Sequence, residues 1–199
     1  MDTGRGDDQM AAMPSLDYFP LVTDRLTLRP IRAADFPAYA AYHGRADVYR
    51  FLYAAPPQNQ ALEAQFMDAA QPKFAQDGDV FRLAVTLTGK DEMIGEVLLK
   101  LANQSAAQGE VGYIFNPAWA GPGYAIEAVE ALVRVGFEQG GLHRIFARLD
   151  AANAGSVALM QRLGFRREAH LIQNDCFDGV WGDEFIYALL RSEWMARPA

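Results

Sequence analysis

The sequence predicts a mixed α/β fold, with one mostly antiparallel central sheet and flanking helices. Three observations predict it. Strand-like runs follow one another at residues 80–87, 93–101 and 110–115, joined by a hairpin-sized TGKDE and a longer polar ANQSAAQ. Residues 112–165 then read as strand, glycine-rich turn, long helix, strand and a shorter helix. Two more strand-like runs, 169–177 and 184–190, close the chain. A meander leading into a β-α-β-α unit makes a mixed sheet.

Each element has a local reason. Residues 25–31 (RLTLRPI) alternate as a strand does, and Pro30 requires an edge position or a strand end. Residues 33–43 form a helix with Phe36, Tyr39 and Tyr42 on one side. After the break AAPPQNQ, residues 61–75 form a second amphipathic helix with Leu62, Phe66, Ala69 and Phe74 inward. From Pro122 or Gly123 to Glu138, Ile126, Val129, Leu132, Val133 and Phe137 share one stripe, and Glu130 and Arg134 pair on the outer side. Gly140 and Gly141 end that helix as left-handed caps. HRIFARLD is a strand, and Asn153 opens a helix over 153–163 with Ser156 at its third position.

Bulk properties narrow the function classes. At 199 residues the chain fits one domain, able to bury about 70 % of the surface its unfolded form exposes. Residues 18–195 are expected to form it, after a flexible tail over 1–17 in which Met10 and Met13 are further candidate starts. A formal charge of −7 argues against nucleic-acid binding and favours cationic substrates. Cys176 is the single cysteine and no two histidines have metal-ligand spacing, so neither a disulfide nor a metal is expected. No apolar run reaches a membrane span, and acidic and glycine residues stand where a signal peptide would be apolar. The expected compartment is the cytoplasm.

The turn before the long helix is the first functional candidate. A helix N-terminus presents unpaired N–H groups and about half a positive charge, which together suit a phosphate. Five blocks in order then carry a resemblance: RLTLRPI, GYIFNPAW, GPGYAIEAV, GLHRIFARLDAANAGSVALMQRLGFRREA and DGVWGDEFIYALLRSEW. Over about residues 21–194 the chain resembles the GCN5-related N-acetyltransferase superfamily, near the bacterial ribosomal-protein N-terminal acetyltransferases. The resemblance implies the acyl-CoA N-acyltransferase fold with a splayed pair of parallel strands. It also implies acetyl-coenzyme A as donor and an amine as acceptor, either a protein N-terminus or a small molecule.

Residue by residue, the resemblance puts the pyrophosphate on the amides of Gly121, Gly123, Tyr124 and Ala125. Ala120 stands where the family has Gln or Arg, and Pro122 removes one donor. The pantetheine arm lies along the backbone of Ile114, Phe115 and Asn116, in a splay that a bulge at Gly112 would start. Asn153 contacts the cofactor, and Ser156 protonates the departing thiolate.

The base has three candidates. Asp175 stands where the ribosomal-protein subgroup has an acid, Glu110 opens the strand at the splay, and Glu96 reads as a solvated strand-edge acid. An α-amine is about one-tenth neutral at pH 7 and a lysine about 1 in 2,500, so an α-amine acceptor needs little help. Trp119 and Trp181 read as packing aromatics, Tyr124 as a local contact, Glu127 as a first-turn acid and His143 as a surface residue. Ala120 and Pro122 keep open one alternative, a coenzyme A-binding regulatory module with little turnover; a purely structural α/β domain is weaker still. Edge strands near the C-terminus would permit a homodimer.

Overall fold

The computed structural model describes residues 18–197; the tail expected over 1–17 lies outside them. The strands are β1 (Leu21–Val22), β2 (Leu26–Arg29), β3 (Val80–Leu87), β4 (Met93–Asn103), β5 (Gln108–Phe115), β6 (Arg144–Asp150), β7 (Arg166–Phe177) and β8 (Val180–Leu190). They form one sheet in the order β1-β2-β3-β4-β5-β6-β8-β7. Helices α1 (Phe36–His43), α2 (Ala46–Tyr49) and α3 (Asn59–Ala69) precede β3, and α4 (Tyr124–Glu138), α5 (Ala154–Arg162) and α6 (Arg191–Met195) follow β5.

The helices cover the sheet from both sides. On one face Val129, Leu132, Phe137, Leu159 and Leu163 of α4, α5 and their ends pack on Leu83, Leu99, Ile145 and Leu189. Each such fully buried side chain stabilises the fold by about 1.5–3 kcal/mol, which is why the α4 stripe holds that helix to the sheet. On the other face Tyr39, Tyr42 and Phe66 of α1 and α3 pack on Ala84 and Met93. At the start of α1, Asp35 takes two hydrogen bonds from Arg29, at 2.7 and 2.8 Å, and one from the Arg32 amide, at 2.7 Å.

All neighbouring strands are antiparallel except β5 and β6. That parallel pair holds for only three positions, Gln108↔Arg144, Gly109↔Ile145 and Glu110↔Phe146. Beyond Glu110 the two strands part, and the cleft between them positions the site.

Several expectations change. The second helix stops at Ala69, because Pro72 disfavours helical backbone at Gln71; Phe74 packs into the core of the opposite face. The short α2 was unexpected, as was β1, which leaves β2 an interior strand with Pro30 just past its end. Only Gly141 takes the left-handed conformation after α4, at φ 65°. Gly112 makes no bulge: it pairs regularly with Leu98, and the β4–β5 irregularity lies between Leu101 and Asn103. The splay comes instead from the end of β5–β6 pairing. Trp181 is 60 % exposed and is no packing residue.

Candidate active site

The turn after β5 begins with a short 3-10 segment, Pro117–Trp119, capped by the Asn116 side chain. Gly121 and Gly123 then take φ values of 109° and 86°, a region that other residues enter at a cost. Gly123 is the N-cap of α4, and no side chain caps the helix. The amides of its first turn therefore face outward without an intrahelical partner. A Cβ at Gly121 would meet nothing within 4 Å, so the turn is open to solvent. The residues present fit a pyrophosphate despite Ala120 and Pro122.

Arg25, in the bend just before β2, braces this turn. Its Nη1 donates to the Pro122 carbonyl at 2.8 Å and its Nε to Glu127 at 2.7 Å. The guanidinium also lies over the Tyr124 ring, 5.1 Å from its centroid. Glu127 further accepts from the Thr23 hydroxyl at 2.6 Å and the Arg25 amide at 3.0 Å. Partial burial works against its charge, and these donors more than offset that, holding its carboxyl below the ordinary value. Glu127 is thus a structural anchor of the turn, beyond its favourable place in a first helical turn.

Of the residues expected along the pantetheine arm, the structure turns some inward. The Asn116 amide donates to Ile94 O at 3.0 Å, and its carbonyl accepts from the Trp119 amide at 2.9 Å. Strand alternation points the backbone of Ile114 toward β4 as well. Phe115 and Tyr113 are left with N–H and C=O groups facing the cleft.

Across the cleft, the Asn153 side chain accepts from the Ser156 amide at 3.1 Å, so it caps α5 as the spacing requires. The Ser156 hydroxyl meets a partner that sequence reasoning missed: the Tyr113 phenol, 2.8 Å away. Burial raises the Tyr113 pKa, against a smaller lowering by this bond.

The α1–α3 side of the cleft is acidic. Alternation puts Glu110 on the same face as Arg148 and Asp150, with Glu184 beside Asp150 on β8. Arg148 binds Glu184 through two bonds, at 2.9 and 2.8 Å, and also feels Glu110 and Asp175. Three carboxylates, Glu184, Glu110 and Asp175, thus act on one guanidinium. Tyr53 closes this wall by donating to Asp150 at 2.6 Å; burial first, then Asp150, Asp175 and Glu184, push its pKa up. Its ring lies so close over Gly182 that any Cβ there would overlap the phenol. Glu110 and Asp175 therefore share one pocket wall, while Ser156 sits with Tyr113.

Glu96 departs most from expectation. It is fully buried, paired with Arg82 and 3.5 Å from His43 Nε2. Gln65 donates to His43 Nδ1 at 3.0 Å, and the Tyr49 hydroxyl lies 2.9 Å from the same nitrogen. Tyr42 adds a longer contact of 3.4 Å. Burial opposes the Glu96 charge, but Arg82 and His43 outweigh it and lower the pKa. This acid pins α1 to β3 and β4 and does not reach the cleft.

A family profile described as an acetyltransferase (GNAT) domain matches residues 25–166. The chain belongs to the GNAT family. Among its relatives is the uncharacterized N-acetyltransferase YnaD of Bacillus subtilis, 29 % identical over 175 residues that cover 87 % of this chain and 98 % of that one. The [ribosomal protein uS5]-alanine N-acetyltransferase of Escherichia coli is 27 % identical over 180 residues, covering 87 % and 92 %. The crystal structure of a GNAT-family acetyltransferase from Bacillus anthracis superposes with a TM-score of 0.77 at 25 % identity, over 87 % of this chain and 99 % of the other.

This GNAT chain is therefore an N-acetyltransferase, and acetyl-coenzyme A is the donor its family uses. The relatives are named as acetyltransferases, which leaves the turnover-free alternative without support. Of the residues that matter here, Arg25, Tyr53, Tyr113, Arg148 and Glu184 escaped the sequence. Only Arg25 left a signal, as a basic residue opening the first strand-like block.

Proposed function

We propose that the chain acetylates a primary amine carried by a cationic acceptor, by direct attack on acetyl-coenzyme A in the cytoplasm. The observation that carries this reading is the opening of β5 from β6 after Glu110, with the uncapped α4 turn at one end and the acidic wall on one side. The amides of Gly121, Gly123, Tyr124 and Ala125 hold the pyrophosphate, with Arg25 fixing the turn. The outward backbone groups of Tyr113 and Phe115 hold the pantetheine arm, and Asn153 lies beside it. Bound there, the thioester supplies an activated acyl group.

The neutral amine attacks the carbonyl carbon, forming the C–N bond, and the C–S pair leaves to sulfur. Held proximity provides most of the acceleration. A β5 amide stabilises the oxyanion. Asp175 or Glu110 takes the proton lost by the amine nitrogen, directly or through water, and Ser156 donates toward the thiolate. The net proton passes from nitrogen to sulfur. A thiol with a pKa near 8.5 leaves readily.

The four carboxylates Glu110, Asp150, Asp175 and Glu184 favour an acceptor that arrives positively charged. The test is thiol release on mixing enzyme and acetyl-coenzyme A with an alanine-terminated peptide or with spermidine. Release with either, and a mass gain of one acetyl group on that acceptor, is the expected result. Asp175→Asn and Glu110→Gln then separate the two bases, the true one losing about 100-fold in kcat. Wild-type turnover in both variants would remove the carboxylate base.

A further inference from the structure

We propose that Tyr113 is a positioning residue for Ser156: it donates to the serine oxygen and so aims the serine's own hydrogen into the cleft. The inference rests on the proposed role of Ser156 as donor to the thiolate. Tyr113 lies on β5 and Ser156 on α5, so their 2.8 Å bond spans the two walls of the opening. Among the described residues it is the one side-chain hydrogen bond that joins these two elements.

A serine hydroxyl in a first helical turn turns freely and often bonds back to nearby backbone. Here the Ser156 amide is already held by Asn153, which fixes the backbone and leaves only the hydroxyl rotor open. The Tyr113 ring packs against the core and meets Phe115 edge-on, with centroids 6.4 Å apart. It therefore presents its oxygen from a fixed direction. A phenol is the more acidic partner, so the bond runs from Tyr113 to the serine lone pair. Burial keeps the phenol protonated throughout the working range.

With that lone pair taken, the serine hydrogen is free for an acceptor in the cleft. When the C–S bond breaks, its electron pair settles on sulfur and receives this hydrogen bond. Tyr113 keeps its proton, and the proton that finally reaches sulfur is the one lost by the amine. A two-link chain also polarises the serine O–H, by roughly 10–30 % per bond.

The test needs no acceptor. The thiol of bound coenzyme A is titrated through the ultraviolet absorbance of its thiolate, in a Cys176→Ser background that removes the protein's own thiol. Ser156→Ala should raise the bound thiol pKa by about one unit, the loss of a hydrogen bond to a charged group. Tyr113→Phe should raise it by about 0.3 unit, and should add nothing further in the Ser156→Ala background. In turnover, Tyr113→Phe should lower kcat about threefold with the KM for acetyl-coenzyme A unchanged.

If Ser156→Ala shifts the pKa but Tyr113→Phe does not, or shifts it equally in both backgrounds, Tyr113 only packs and the inference is overturned alone. If Ser156→Ala itself leaves the pKa unmoved, the donor role falls first and this inference falls with it.

Discussion

Replacing Glu96 by glutamine should destabilise the fold without touching the chemistry. The carboxylate is fully buried, paired with Arg82 and within 3.5 Å of His43. Glutamine keeps the shape and some hydrogen bonding but leaves the mostly buried Arg82 guanidinium without its counter-charge. Breaking one side of a buried pair costs about 3–5 kcal/mol. At about 2–4 °C per kcal/mol for a domain of this size, Tm should fall by roughly 6–20 °C.

The pH dependence has a definite sign. A carboxyl whose folded pKa lies below its unfolded value stabilises the fold above the unfolded pKa, here about 4.5, and loses that contribution as pH falls through the folded value. The gap between wild type and Glu96→Gln should therefore be full at pH 7 and shrink below about pH 4.5. The paired variant Arg82→Met with Glu96→Leu removes both charges and should recover most of the loss. Calorimetric unfolding at pH 7 and pH 4 is the assay, with turnover measured well below Tm. A Glu96→Gln protein melting within 2 °C of wild type at pH 7, or folded normally yet inactive, would refute the structural role.

Two further predictions concern the site. Arg25→Ala removes the brace on the Pro122 carbonyl and on Glu127, and should raise the dissociation constant for acetyl-coenzyme A about three- to tenfold, the equivalent of one hydrogen bond. Isothermal titration checks this, and wild-type affinity would dismiss the brace. Gly182→Ala drives a Cβ into Tyr53 and should displace it from Asp150, raising the acceptor KM about tenfold while the acetyl-coenzyme A KM stays put. Equal changes in both constants would mean general disruption.

Elements built from neighbouring residues were legible in the sequence. The apolar stripe of α4, the glycines before it and the Asn153–Ser156 cap each depend on spacings of a few residues. The braces were not, because each joins distant segments: Arg25 and Glu127 are 102 residues apart, Tyr53 and Asp150 97, and Tyr113 and Ser156 43. Their side chains look like ordinary surface or packing residues until the sheet order is known. Glu96 did carry a signal. An acid inside MIGEVLLKL lies in an apolar strand that two other strands flank, and a charge there must be paired. The α2 helix is four residues long, too short for any periodicity to show.

The most direct test of the central claim is thermal unfolding with and without acetyl-coenzyme A at about 100 times its dissociation constant. Binding to the folded state alone then adds about 2.7 kcal/mol, a rise in Tm of roughly 5–11 °C. That rise, reduced at the same cofactor concentration in Arg25→Ala, is what a cofactor seated at the α4 turn predicts. An unmoved Tm would contradict it.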